Sequence, residues 1–314
     1  MQTVRLKQYD ILKGIGIILV MFGHAISPNT YLSYLIYGFH MPLFFICSGV
    51  FYKDVPVWQG LKKDFKGLLV PLFAFVLFLC FCALVIDRMS SKGFTPAFSV
   101  LDEHCWLLYY TIWFLVCLFI TRQLYRILYK ICNRTTLNLS CWGGYVVAFC
   151  LNQQHINIPF FIDSAMAMLL FYHIGYLFKN NELSEQRPIW ISAVLLIVYA
   201  VFVWLVHPHV SVKDNVYPIY LIVLSIIPIY ALYQLSCRVN SKFLILCGVE
   251  SLTIMGLHHP IYDTIMLPLM NRLPLPYPFE IALMVIITLF ITLLLSKYIM
   301  RYAPFLLGKN RTHR

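Results

Sequence analysis

Apolar residues in this chain come in long runs separated by short polar segments, a pattern too long-waved for buried strands and suited to membrane helices. Windows near twenty residues predict about ten spans, over 9–28, 33–52, 67–87, 106–121, 139–152, 160–178, 189–206, 217–235, 244–267 and 280–300. The expected fold is therefore all-α, a polytopic transmembrane helical bundle. The run 139–152 is the weakest, short and ending at Asn152, and a re-entrant course there would shift the later topology. No internal repeat and no long hydrophilic insert interrupts the series, so one integral-membrane domain over 1–314 is expected. Any chemistry must then use residues inside the spans or in short loops.

Polar residues inside such runs are expensive and mark functional sites by default. The first run, Asp10-Ile-Leu-Lys13-Gly-Ile-Gly-Ile-Ile-Leu-Val-Met-Phe-Gly-His24, holds the clearest case. Eleven residues at about 100° each return to nearly the same azimuth, so Lys13 and His24 share one helix face roughly 16 Å apart. Asp10 lies near that face, one turn before Lys13. The expected picture is a charged mouth leading to a buried base.

Composition agrees with a membrane class: 61% of the 314 residues are hydrophobic and 12% charged, far from a soluble balance. A net charge of +11 raises the question of nucleic acid, but the cations sort by loop. Twenty of the 24 basic residues fall on one side of the ten-span topology, leaving Arg88, Lys92, Lys213 and Arg272 on the other. The positive-inside rule makes the first side cytoplasmic, with both termini there, and no nucleic-acid partner is implied. Arg5 and Lys7 precede the first run as in a secretory signal, but Asp10 and Lys13 interrupt it and more spans follow, so it reads as retained. The ten cysteines show no Cys-x-x-Cys pair and fall mostly within spans, so neither a disulfide framework nor a metal site is expected.

Four further segments carry candidate chemistry. The second run holds Phe39-His40-Met41-Pro42-Leu43-Phe44-Phe45 ending in Ser48-Gly49, in which Pro42 predicts a kink and a freed carbonyl. The plain alternative is a packed kink with His40 hydrogen-bonded to a neighbour. A cytoplasmic loop over 53–66 presents Lys62-Lys63-Asp64-Phe65-Lys66, either topology-fixing cations or a clamp for a phosphate-rich ligand. Trp113-Phe114-Leu115 marks the fourth run, with Trp106 as an interfacial aromatic before it. The ninth run holds Ser251-Leu252 and His258-His259-Pro260, which would set His258 at a depth similar to His24. His155, His173, His207 and His209 read as satisfied core histidines.

Taken in order, these motifs resemble integral-membrane acyltransferase family 3, particularly its short branch of fucose 4-O-acetylase-like, surface-polysaccharide O-acetyltransferases. The resemblance covers nearly the whole chain. It implies about ten spans, acetyl-coenzyme A as a cytoplasmic co-substrate with no permanently bound cofactor, and O-acylation of a cell-surface glycan or its lipid-linked precursor. By position, Lys13 and His24 match the family's basic-x10-His motif, and Lys63-x-x-Lys66 stands at its Arg-x-x-Arg. Lysine there removes the bidentate fork but keeps the attraction for phosphate. The Trp-containing acidic motif and the appended hydrolase-like domain of longer members are not seen.

The resulting expectation is an O-acetyltransferase of the bacterial inner (plasma) membrane acting in lipopolysaccharide or exopolysaccharide modification. His24 would be base or acyl carrier, with His258 and Asp10 beside it in the catalytic set. Lys13, Lys63, Lys66 and Ser48 would meet the coenzyme A moiety, and His40 and Trp113 the acceptor. Membrane lipid is the surrounding partner, and assembly as a homo-oligomer stays open. A transporter or flippase of polysaccharide precursors is the rival from another class, although the paired repeats common in transporters are not visible.

Overall fold

The computed structural model describes residues 7–89, 97–179, 187–208, 210, 218–270, 272–273 and 275–309. Among them every regular element is helical. Among the described residues, four stretches are long and apolar enough to cross a membrane: Tyr31–Val50, Pro159–Lys179, Ile189–Val206 and Tyr277–Tyr302. A fifth joins them if the broken pair Lys242–Val249 and Ser251–Ile261 counts as one span. The all-helical expectation is met, and the run 189–206 coincides with one helix end to end.

The chain divides into two compact units. The first comprises residues 1–57 and 120–251, the second 58–119 and 252–314. In the first unit lie α1 (Lys7–Ala25), α2 (Tyr31–Tyr37), α3 (His40–Val50), α7 (Arg134–Gln153), α8 (Ile162–Lys179), α9 (Ile189–Val206), α10 (Leu221–Ser236) and α11 (Lys242–Val249). There α1 packs on α11 and α3, α3 on α8, α8 on α7, and α9 on α10. Two of these contacts are made backbone to backbone through glycine. A Cβ on Gly14 would lie 2.1 Å from the Leu244 carbonyl oxygen, and one on Gly248 1.8 Å from that of Asp10. Gly49 and Gly175 do the same between α3 and α8, against Tyr172 and Ile46. In lipid, where burial of apolar surface does not drive helices together, such close approach is what holds them.

The second unit contains α4 (Val57–Asp64) from its second residue, α5 (Val70–Met89), the first part of α6 (Ala97–Ile131), α12 (Ser251–Ile261), α13 (Leu267–Met270) and α14 (Tyr277–Tyr302). Gly256 admits the Phe75 ring, and the Ser296 hydroxyl donates to Thr253 Oγ1 at 3.4 Å. Gly308, at φ 64°, brings the turn after Pro304–Leu307 against the Lys66 carbonyl, where any Cβ would collide at 1.9 Å.

Four local expectations need correction. Helix α1 ends at Ala25, so His24 stands in its last turn and not deep within a longer span. The run 33–52 is two helices broken at Gly38–Phe39, and Pro42 is the third residue of α3. There its missing N–H has no intrahelical partner to lose, so Pro42 starts a helix instead of kinking one. The expected loop 53–66 is largely α4, followed by a π-helical turn at Phe65–Leu69. The run 244–267 breaks at Glu250, whose φ of −95° and ψ of 10° end α11. The run 139–152, by contrast, is one unbroken helix of 20 residues.

Candidate active site

Helix α1 sets the first unit's candidate residues. Near its start, Lys13 Nζ lies 3.0 Å from Asp10 Oδ1, an i,i+3 pair with the carboxylate buried. Lys13 also sits 6.0 Å over the ring of Phe51, just past α3, and Ser48 is half-buried in that helix's last turn. Tyr9 packs between Phe51 and Tyr233 on the same end. Beside it is a cavity of about 400 Å³ lined by Lys7, Gln8, Ile11, Tyr233, Ser236 and Asn240, among others.

At the far end of α1, the half-buried His24 ring meets the edge of Tyr37 at 6.4 Å, and Tyr37 meets His40 at 5.0 Å. The chain returns there through Asn29, which takes a left-handed φ of 63° that asparagine tolerates, and Thr30, whose side chain caps α2 at Ser33 N–H. The Tyr37 hydroxyl then donates to the Gly23 carbonyl at 3.0 Å, tying α2 to the residue before His24. His40 is buried, and its Nδ1–H donates to the Ile36 carbonyl at 3.0 Å, across the α2–α3 break. That bond leaves Nε2 as the ring's acceptor nitrogen. Sequence reading missed Tyr37. Its position three residues after Tyr34 and three before His40 was the available signal.

His258, in the second unit, is buried on α12 with Nδ1–H shared between the Ile254 and Met255 carbonyls at 2.9 and 3.0 Å. Its ring lies 5.9 Å from both His259 and Tyr262. Trp113 is buried there too, edge-on to Phe114 at 6.2 Å. Lys63 and Lys66 are exposed, on α4 and the π-turn, while neighbouring Lys62 lies 5.2 Å over the exposed Trp58 ring. Asp64 between them is buried. Thus Asp10, Lys13, Ser48, His24 and His40 belong to the first unit, and Lys63, Lys66, Trp113 and His258 to the second. The side chain of Trp106 lies outside the described residues.

The remaining histidines divide. His173 is the satisfied core residue expected: Tyr125 donates to Nδ1 at 2.9 Å and Nε2–H donates to Asn138 Oδ1. His155 and His207 are exposed, each with a left-handed backbone, so the core reading fails for both. His209 lies outside the described residues.

A family model described as an acyltransferase domain matches residues 6–297 of this chain. The chain belongs to acyltransferase family 3. No curated protein and no solved structure matches it. The match spans nearly all of both units, and with the apolar helices it makes the protein a membrane acyltransferase.

Proposed function

We propose that this acyltransferase moves an acetyl group from cytoplasmic acetyl-coenzyme A to a hydroxyl of a cell-surface glycan or its lipid-linked precursor, in the bacterial plasma membrane. One observation carries the reading. A single unbroken helix, α1, bears the Asp10–Lys13 pair at one end and His24 at the other, where Tyr37 of α2 and His40 of α3 complete a cluster of rings. Lys7 adds a cation to the Lys13–Asp10 pair at that end and suits it to the coenzyme A phosphates, and the pantetheine arm bridges the roughly 16 Å to the imidazole. Ser48, in the same unit as Lys13, lines the donor's path. His40, beside Tyr37 in the same unit as His24, orients the acceptor.

In the reaction His24 takes the proton of the acceptor hydroxyl as its oxygen attacks the thioester carbonyl. The C–S bond then breaks, and the coenzyme A thiolate leaves and recovers the proton. In the two-step form the imidazole nitrogen first accepts the acetyl group and then passes it on. Either way, His24→Ala removes a group worth about 10²- to 10⁴-fold in rate. At matched protein levels, surface glycan from cells carrying that variant should lose its O-acetyl groups by mass analysis. Near-normal acetylation would overturn the assignment. Proton-coupled solute flux without release of coenzyme A thiol would instead favour a transporter.

A further inference from the structure

We propose that Tyr34 and His207 form a sugar-binding subsite for the acceptor, beside the His24–Tyr37–His40 cluster; the inference rests on the acetyl-transfer reading above. His207 ends α9 with its N–H on the Val203 carbonyl at 2.9 Å and its backbone at φ 46°, ψ 57°. That left-handed conformation is one where glycine fits and a side chain is strained, and Pro208 follows directly. The strain is not repaid by burial, because His207 is exposed. Its ring instead stands edge-on to Tyr34, 6.0 Å away at 87°.

Tyr34 and Tyr37 are neighbours one turn apart on α2, so the Tyr34–His207 pair extends the row of rings that begins at His24. Among the described residues, neither the Tyr34 hydroxyl nor the His207 imidazole has a hydrogen-bonding partner. A half-buried tyrosine beside an exposed histidine, both amphipathic rings with polar atoms that meet no hydrogen-bonding partner among the described residues, suits a sugar, whose C–H faces pack on aromatic surface and whose hydroxyls need donors and acceptors. The platform is also held stiffly. Tyr31 donates to the Ala200 carbonyl and Tyr199 to that of Leu35, both at 2.7 Å, locking α2 to α9. A preorganised surface binds without first ordering itself.

The test uses the full chain in lipid nanodiscs, with the methyl glycosides of glucose, galactose and fucose as probes in saturation-transfer NMR. At least one probe should receive saturation from the wild-type protein. Tyr34→Leu and His207→Gly should weaken its binding about tenfold, while Tyr34→Phe, which keeps the ring, should lose less. His207→Gly relaxes the backbone, so loss of binding in that variant reports the imidazole and not misfolding. Affinity for acetyl-coenzyme A should be unchanged in all three. Absence of transfer from the wild-type protein, or full retention in Tyr34→Leu and His207→Gly, would overturn the subsite. Loss of glycoside binding in these variants, with acetylation persisting in His24→Ala, would uphold the subsite and remove the catalytic role of His24.

Discussion

Gly248→Ala probes the contact that places the charged end of α1. The added methyl would sit 1.8 Å from the Asp10 carbonyl oxygen, 1.6 Å short of the 3.4 Å at which ordinary contact begins. The obstacle is helix backbone on both sides, and Gly14 faces Leu244 equally closely, so neither helix can yield by rotating a side chain. Relief requires α1 and α11 to separate by more than an ångström, carrying Asp10 and Lys13 with them. Overpacking of this kind costs roughly 1–3 kcal/mol of stability. A misplacement of that size in a site can cost about 10²-fold in rate. Gly143→Ala on α7 is the matched control, since nothing lies within 4 Å of its added methyl. Helix propensity alone would make both changes mildly stabilising. Thermal melting in detergent and coenzyme A release at fixed acceptor should therefore separate the two variants, Gly248→Ala falling in both and Gly143→Ala in neither. A Gly248→Ala protein that melts and turns over like wild type would refute the argument that backbone contact sets this end of α1.

Two more expectations follow from buried polar groups. Lys13→Met removes the cation beside the buried Asp10 carboxylate and should destabilise by about 1–3 kcal/mol, the lysine itself being only half-buried. Asp10→Asn with Lys13→Met should restore the melting temperature but not the affinity for acetyl-coenzyme A, measured by titration. Recovery of both would leave Lys13 with no part in donor binding. Tyr125→Phe takes the donor from His173 Nδ1 in the core and should cost about 1–3 kcal/mol of stability with acceptor and donor KM unchanged. A shift in either KM would mean His173 does more than pack.

Much of the geometry along α1 was legible in one dimension. Asp10 and Lys13 stand three apart and Lys13 and His24 eleven apart, and an unbroken helix turns those spacings into an ion pair and a shared face. The partners of His24 were not legible. Tyr37 reaches Gly23 only because Asn29 reverses the chain, and it meets the His40 ring across the helix break at Gly38–Phe39. Pro42 misled for a related reason: its effect depends on its place in a helix, and that place is set by where the preceding turn ends. His207 and His173 carry the same side chain, yet one is exposed on a strained cap and the other is bonded at both nitrogens.

By itself the order of residues determined the helical class, the membrane setting and the acyltransferase family, because run length, charge placement and motif order are properties of the chain alone. Tertiary structure decided which glycines bear backbone contacts, where long apolar runs break, and which rings gather around His24 and extend to His207. Those depend on residues far apart in sequence meeting in space, where a carbonyl two ångströms from a missing methyl settles what periodicity leaves open.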